Sequence, residues 1–122
     1  MTNKAIISIG SNKDRTNNIN SVTQLLQSSY PGSRFSTPEI TEPKGTKPFL
    51  NLVAMIPTGE SCEDFCSRLK AIEKDFGRDP DDDEEGIIPL DIDLIEWNDE
   101  VIKPHDLVRP YVVAGMEEID EF

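Results

Sequence analysis

Groups that titrate or ligate metals near neutral pH are scarce here: the 122 residues include one histidine and two cysteines. His105 lies far from Cys62 and Cys66, so a structural zinc site would lack its usual fourth protein ligand. Positive charge is also sparse. Twelve lysines and arginines face twenty-four aspartates and glutamates, and the formal charge of −12 repels both a nucleic-acid backbone and an anionic membrane face. Neither is an expected partner. No apolar run approaches the roughly eighteen residues of a membrane span, and residues 1–10 lack the charged start and long apolar stretch of a signal peptide. A cytoplasmic location is expected. Cys62 and Cys66 stand four apart in a helical pattern, which puts them on one face without the geometry of an easy bridge and reads as two small buried hydrophobes.

The chain does contain enough apolar side chain, 36% of its residues, to bury a core over one domain spanning 1–122. Residues 5–9 form a short apolar run broken at Gly10-Ser11-Asn12, as a buried strand ending in a turn would be. Ile19, Val22, Leu25 and Leu26 recur at helical spacing over 16–29, and Pro31-Gly32 closes that segment. Residues 33–41 lean towards strand, with Pro38 marking an edge or a bulge, and 42–48 read as a loop. Residues 49–57 alternate, placing Leu50, Leu52, Ala54 and Ile56 on one face and Phe49, Asn51, Val53 and Met55 on the other. Residues 60–76 return to helical spacing and end at Gly77. Residues 79–89 show no periodicity and read as a loop, with six acids among the seven residues 79–85. Residues 90–97 alternate again, with Asp91, Asp93 and Ile95 opposite Leu90, Ile92 and Leu94. Residues 101–102 suggest a short further segment, and 111–119 a last helix. This order predicts an α+β, ferredoxin-like fold: an antiparallel sheet with helices packed on one face.

Asp91 and Asp93, two apart on a strand, project their carboxylates to the same side within reach of one cation. Magnesium takes one or two carboxylates and completes its shell with water and phosphate oxygens, so the pair is chemically adequate. An Asp-x-Asp on a strand is equally a solvated structural pair, and context must separate the two. Ile9-Gly10-Ser11-Asn12 with Asp14-Arg15, Thr41-Glu42-Pro43, Phe49-Leu50-Asn51, Ile72-Glu73 with Gly77-Arg78, and Leu90-Asp91-Ile92-Asp93-Leu94 follow one another in an order and spacing that resemble the hydroxymethyldihydropterin pyrophosphokinases of folate synthesis. That resemblance covers most of the chain.

The resemblance implies transfer of pyrophosphate from ATP to the hydroxymethyl group of a reduced pterin, leaving AMP. It implies that Asp91 and Asp93 hold two magnesium ions on the triphosphate, with Arg78 beside them in the catalytic set. Thr41, Pro43, Phe49, Asn51 and Tyr111 would bind the pterin, Phe49 and Tyr111 covering its two ring faces. Lys70, Glu73, Arg78, His105 and Arg109 would serve the nucleotide. Lys70 and Glu73, three apart on a helix, also fit an ordinary surface ion pair. A monomer that binds only pterin and ATP is expected.

The interval before the metal strand departs from the family. Pro80 and Ile88 stand where arginines are expected and Glu85 where a tryptophan is, and six acids would favour an open loop near phosphate. The segment 104–109 is also tighter than the family pattern, and the chain stops at Phe122, earlier than most relatives. The alternative is a catalytically impaired paralogue that keeps the fold and acts as a pterin-binding or regulatory module.

Overall fold

A computed structural model describes residues 2–42 and 47–120. The central strand β1 (Asn3–Ser11) leads into α1 (Arg15–Ser29). Two short strands follow, β2 (Arg34–Phe35) and β3 (Glu39–Thr41), then the long β4 (Phe49–Thr58) and α2 (Cys62–Asp75). After a short α3 (Pro80–Glu84) come β5 (Asp91–Trp97), β6 (Glu100–Val101), one turn of 3-10 helix (Asp106–Val108) and α4 (Pro110–Glu118). The sheet order is β2-β4-β1-β5-β6, with β3 also on β4, and every pairing is antiparallel. This is the expected α+β arrangement, and none of the described helices is long and apolar enough to cross a membrane.

Strand parity explains the two cores. Ala5, Ile7 and Ile9 of β1, Leu52, Ala54 and Ile56 of β4, and Ile92 and Leu94 of β5 face the two long helices, meeting Ile19, Val22 and Leu26 of α1 and Phe65, Leu69 and Ile72 of α2. Ile6, Val53 and Ile95 point the opposite way and are covered by Tyr111, Val112, Met116 and Ile119. Helices therefore cover both faces, not one. The alternation placed Val53 and Ile95 on the second face, but apolar side chains there need a cover, and α4 supplies it. Gly115 lets α4 come close: a Cβ there would meet Ser36 Oγ and Val53 at 3.0 Å. Glu118 ties the helix down by accepting from the Thr37 backbone N–H at 2.8 Å and from its hydroxyl at 2.7 Å.

Two other sequence expectations change. Residues 33–41 form two short strands, because Ser36 leaves the ladder to exchange bonds with Val53 and Pro38 cannot donate. The acidic interval 79–89 holds a turn of helix. Asp79 caps it by accepting from the Asp81 N–H at 2.8 Å, Pro80 occupies the first helical position, and the acids of its first turn suit the positive helix end.

Candidate active site

The second face of the sheet is covered by α4 over Ile6, Val53 and Ile95 and left open beyond them. In the outermost row, Gly10 of β1 lies between its register partners Asn51 on β4 and Asp91 on β5. One step inward, Ser8 lies between Val53 and Asp93. A cleft of about 90 Å³ opens there, lined by Ser8, Gly10, Thr41, Phe49, Asn51, Asp91, Asp93, Arg109 and Tyr111. Seven of these nine were singled out from the sequence. Ser8 and Gly10 were not, because an uninterrupted buried run hides which members of a central strand face which side.

Gly10 keeps the floor of the cleft as bare backbone. A Cβ at that position would collide with Asn51 Oδ1 and lie 3.5 Å from the Phe49 ring. The Asn51 amide is buried and oriented, donating to Thr41 Oγ1 at 2.5 Å. Tyr111 enters from the start of α4 to line the cleft with Ser8 and Arg109, and burial pushes its hydroxyl pKa up. Arg109, 60% exposed, pairs with Asp106 at 3.3 Å at the rim. His105 is exposed at the start of the 3-10 turn, outside the residues that line the cleft. Pro43 lies outside the described residues.

The two aspartates are half-buried and face each other electrostatically. Burial and the neighbouring charge of Asp93 raise the Asp91 carboxyl above its ordinary range, against the pull of Arg78. Burial acts upwards on Asp93 too, but its bond to Lys103 outweighs that and leaves it below the ordinary range. Lys103 reaches Asp93 at 2.8 Å because β6 and the backbone N–H groups of Ile102 and Lys103, both bonded to the Ile95 carbonyl, fold the chain back along β5. Two hard carboxylates on one strand face, beside a cleft with room for further oxygen ligands, fit magnesium. No third acid, histidine or cysteine joins them among the described residues.

On the other side of β5, helix α2 ends in a turn that aims Arg78. Gly77 adopts φ +94°, its N–H bonds the Lys74 carbonyl, and the Arg78 N–H bonds the Glu73 carbonyl, the paired bonds of a Schellman cap. The Arg78 guanidinium then lies over its own helix: Nη1 donates to Glu73 at 3.1 Å, Asp91 at 2.9 Å and the Leu90 carbonyl at 3.3 Å. The opposite edge, Nε and Nη2, is taken by Asp83 of α3 at 3.1 to 3.2 Å. Burial lowers the guanidinium pKa, but its bonds to Asp83 and Asp91 prevail and hold it above the ordinary value.

Glu73 is no surface residue. It is 4% exposed, and besides Arg78 it accepts from Lys70 at 3.2 Å and from the Ile92 N–H at 2.7 Å. Ile92 lies between the two aspartates on a stretch of β5 beyond the reach of β6, so Glu73 completes the strand edge that carries Asp91 and Asp93.

Two hollows flank this arrangement. A slot of about 250 Å³ between α2 and β5 has apolar walls, Leu69, Ile92, Leu94 and Ile102, with Cys62 and Cys66 among them and Lys70, Lys103 and Asp93 at its mouth. Both cysteines are free and partly buried, packed against the core as expected and also contributing to the slot wall. A groove of about 550 Å³ runs past Lys70, Glu73, Lys74, Arg78, Pro80 and Asp83. The slot escaped sequence reading because its walls come from a helix, a strand and the Ile102 turn, which no spacing rule links.

The sequence model of the 7,8-dihydro-6-hydroxymethylpterin-pyrophosphokinase family matches residues 6–121, nearly the whole chain, and the chain belongs to that family. No curated protein matches the chain closely enough to count as a relative.

Proposed function

We propose that this member of the pyrophosphokinase family transfers the pyrophosphoryl group of ATP to 6-hydroxymethyl-7,8-dihydropterin, with the pterin in the sheet-end cleft and the nucleotide across β5. The observation that carries this reading is the convergence of Thr41, Phe49, Asn51, Asp91, Asp93 and Tyr111, from four separate elements, on one cleft. Asn51, locked by Thr41, offers its Oδ1 over Gly10 to the donor edge of a flat heterocycle, while Phe49 and Tyr111 supply ring contact.

The nucleotide would set its base in the apolar slot and its phosphates towards Lys70, Lys103 and Arg78. The phosphates would then meet Asp93, which lines both slot and cleft, and its neighbour Asp91 in the cleft. In the reaction the pterin hydroxymethyl oxygen bonds to the β-phosphorus, the bond from that phosphorus to the bridging oxygen of the α-phosphate breaks, and AMP leaves. Asp91 and Asp93 would hold magnesium, which would neutralise phosphate charge there. The chain's own work is positioning: Glu73 fixes the strand that carries both acids, and Lys103 and Arg78 compensate their charge. In this reading the protein is a cytoplasmic monomer of one domain, and its two free thiols suit a reducing compartment.

A second reading has one observation in its favour: α3 sets the Asp83 carboxylate beside the groove, and Pro80 lines it where the family is expected to carry an arginine. It describes a pterin-binding or regulatory module with impaired turnover. Quantifying AMP from Mg-ATP with and without hydroxymethyldihydropterin separates the two. Pterin-dependent AMP supports the enzyme, while pterin binding by calorimetry without AMP above background supports the module.

A further inference from the structure

The acidic segment 79–85 lies beside a groove with three cations, Lys70, Lys74 and Arg78, and one of its acids enters that groove. The guanidinium of Arg78 has two edges with different occupants. Nη1 faces inward to Glu73, Asp91 and the Leu90 carbonyl, all fixed parts of α2 and β5. The Nε and Nη2 edge, the fork that matches two oxygens of a phosphate, is held by both carboxylate oxygens of Asp83.

Asp83 is delivered there by structure independent of that ion pair. Asp79 and Pro80 start α3. Beyond it, Asn12 at the end of β1 pins the exit: its side chain donates to the Gly86 carbonyl and accepts from the Ile88 N–H, each at 2.6 Å, and its own N–H bonds the Ile88 carbonyl at 2.9 Å. The loop is tied at both ends with Asp83 between them.

We infer that Asp83 is an internal competitor for the phosphate-facing edge of Arg78, so that a nucleotide engages this arginine only by displacing an acid of the chain itself. This rests on the pyrophosphokinase reading above. Displacement costs a partly exposed, two-oxygen ion pair, which weakens nucleotide binding without blocking the groove. Asp83 thereby lowers nucleotide affinity while Glu73 and Asp91 keep Arg78 in place.

The test is calorimetric binding of the magnesium complex of α,β-methylene-ATP to the intact protein and to Asp83→Asn, Asp83→Ser and Glu84→Gln, with thermal melts to verify folding. Glu84 is exposed on the same helix, so its variant removes one charge without touching Arg78. Both Asp83 variants should bind about three- to tenfold tighter than the parent, and Glu84→Gln within about twofold of it. If the parent binds and neither Asp83 variant is tighter, the competitor role is overturned and the nucleotide reading stands. An equal gain in Glu84→Gln also overturns it, as general charge repulsion. If no form binds the nucleotide, the pyrophosphokinase reading fails and takes the inference with it.

Discussion

On the α4 side of the sheet the cleft is positioned by strand register, with Asn51, Gly10 and Asp91 in one row and each side chain fixed by backbone pairing. On the α2 side Arg78 is aimed by a helix cap, and its outward edge is occupied by Asp83. Register is over-determined, since a slip of one residue would expose both cores. A helix end and a five-residue helix hold their places through a few polar contacts. The cleft proposed for the pterin is thus set by the fold as a whole, and the groove proposed for the nucleotide by local contacts open to adjustment.

The largest effect is expected where the two sides meet. Asp91→Asn combined with Asp93→Asn should reduce pterin-dependent AMP release at least about a thousandfold, the equivalent of several kcal/mol of charge stabilisation, while calorimetry still detects the pterin. Turnover that survives would remove the metal assignment. Arg78→Ala leaves the buried Glu73 carboxylate with only Lys70 and the Ile92 N–H and should cost about 3 kcal/mol in denaturant unfolding, at the low end for such pairs because those contacts remain and Arg78 is partly exposed. A loss under about 1 kcal/mol would mean that Glu73 does not depend on Arg78.

Glycines sharpen the contrast further. Gly77→Ala meets nothing within 4 Å, so its cost is backbone conformation alone, about 1 kcal/mol by unfolding, and it should weaken nucleotide binding more than pterin binding. Gly10→Ala must push Asn51 Oδ1 aside and disturb the Asn51–Thr41 bond, so pterin affinity should fall about tenfold at a cost of about 1 kcal/mol in unfolding. An unchanged pterin affinity would show that Asn51 does not read the ring.

The smallest effect concerns pH. Asp93 lies below the ordinary aspartate range in the folded chain. Its contribution is therefore present above the unfolded value, about 3.9, and disappears as pH falls through the lower folded value. Lys103→Met removes the bond responsible. Because Lys103 is half exposed, solvent screening limits the difference to about 0.5 kcal/mol near pH 6, and the two proteins should converge near pH 2. A difference that persists in acid would assign the effect to lost packing.

The sequence disclosed most of the cleft because alternation is a direct record of which face a strand residue occupies: Asn51, Asp91 and Asp93 stood out as polar positions among apolar ones. It disclosed the order of elements for the same reason. The second cover by α4 was hidden because parity identifies an apolar face without saying which helix reaches it. Glu73 looked like half of a surface pair, since helical spacing records Lys70 but not the Ile92 N–H that buries the acid. The acidic interval looked like an open loop because mutual repulsion was apparent in the residues, whereas Arg78, which Asp83 meets, was counted only among the catalytic and nucleotide residues.

The most direct measurement is AMP formation from Mg-ATP by the intact protein, with and without hydroxymethyldihydropterin, at nucleotide concentrations high enough to outcompete Asp83. Pterin-dependent AMP that rises towards saturation at high ATP is the predicted result. Calorimetric pterin binding with AMP at background over the whole ATP range would contradict it.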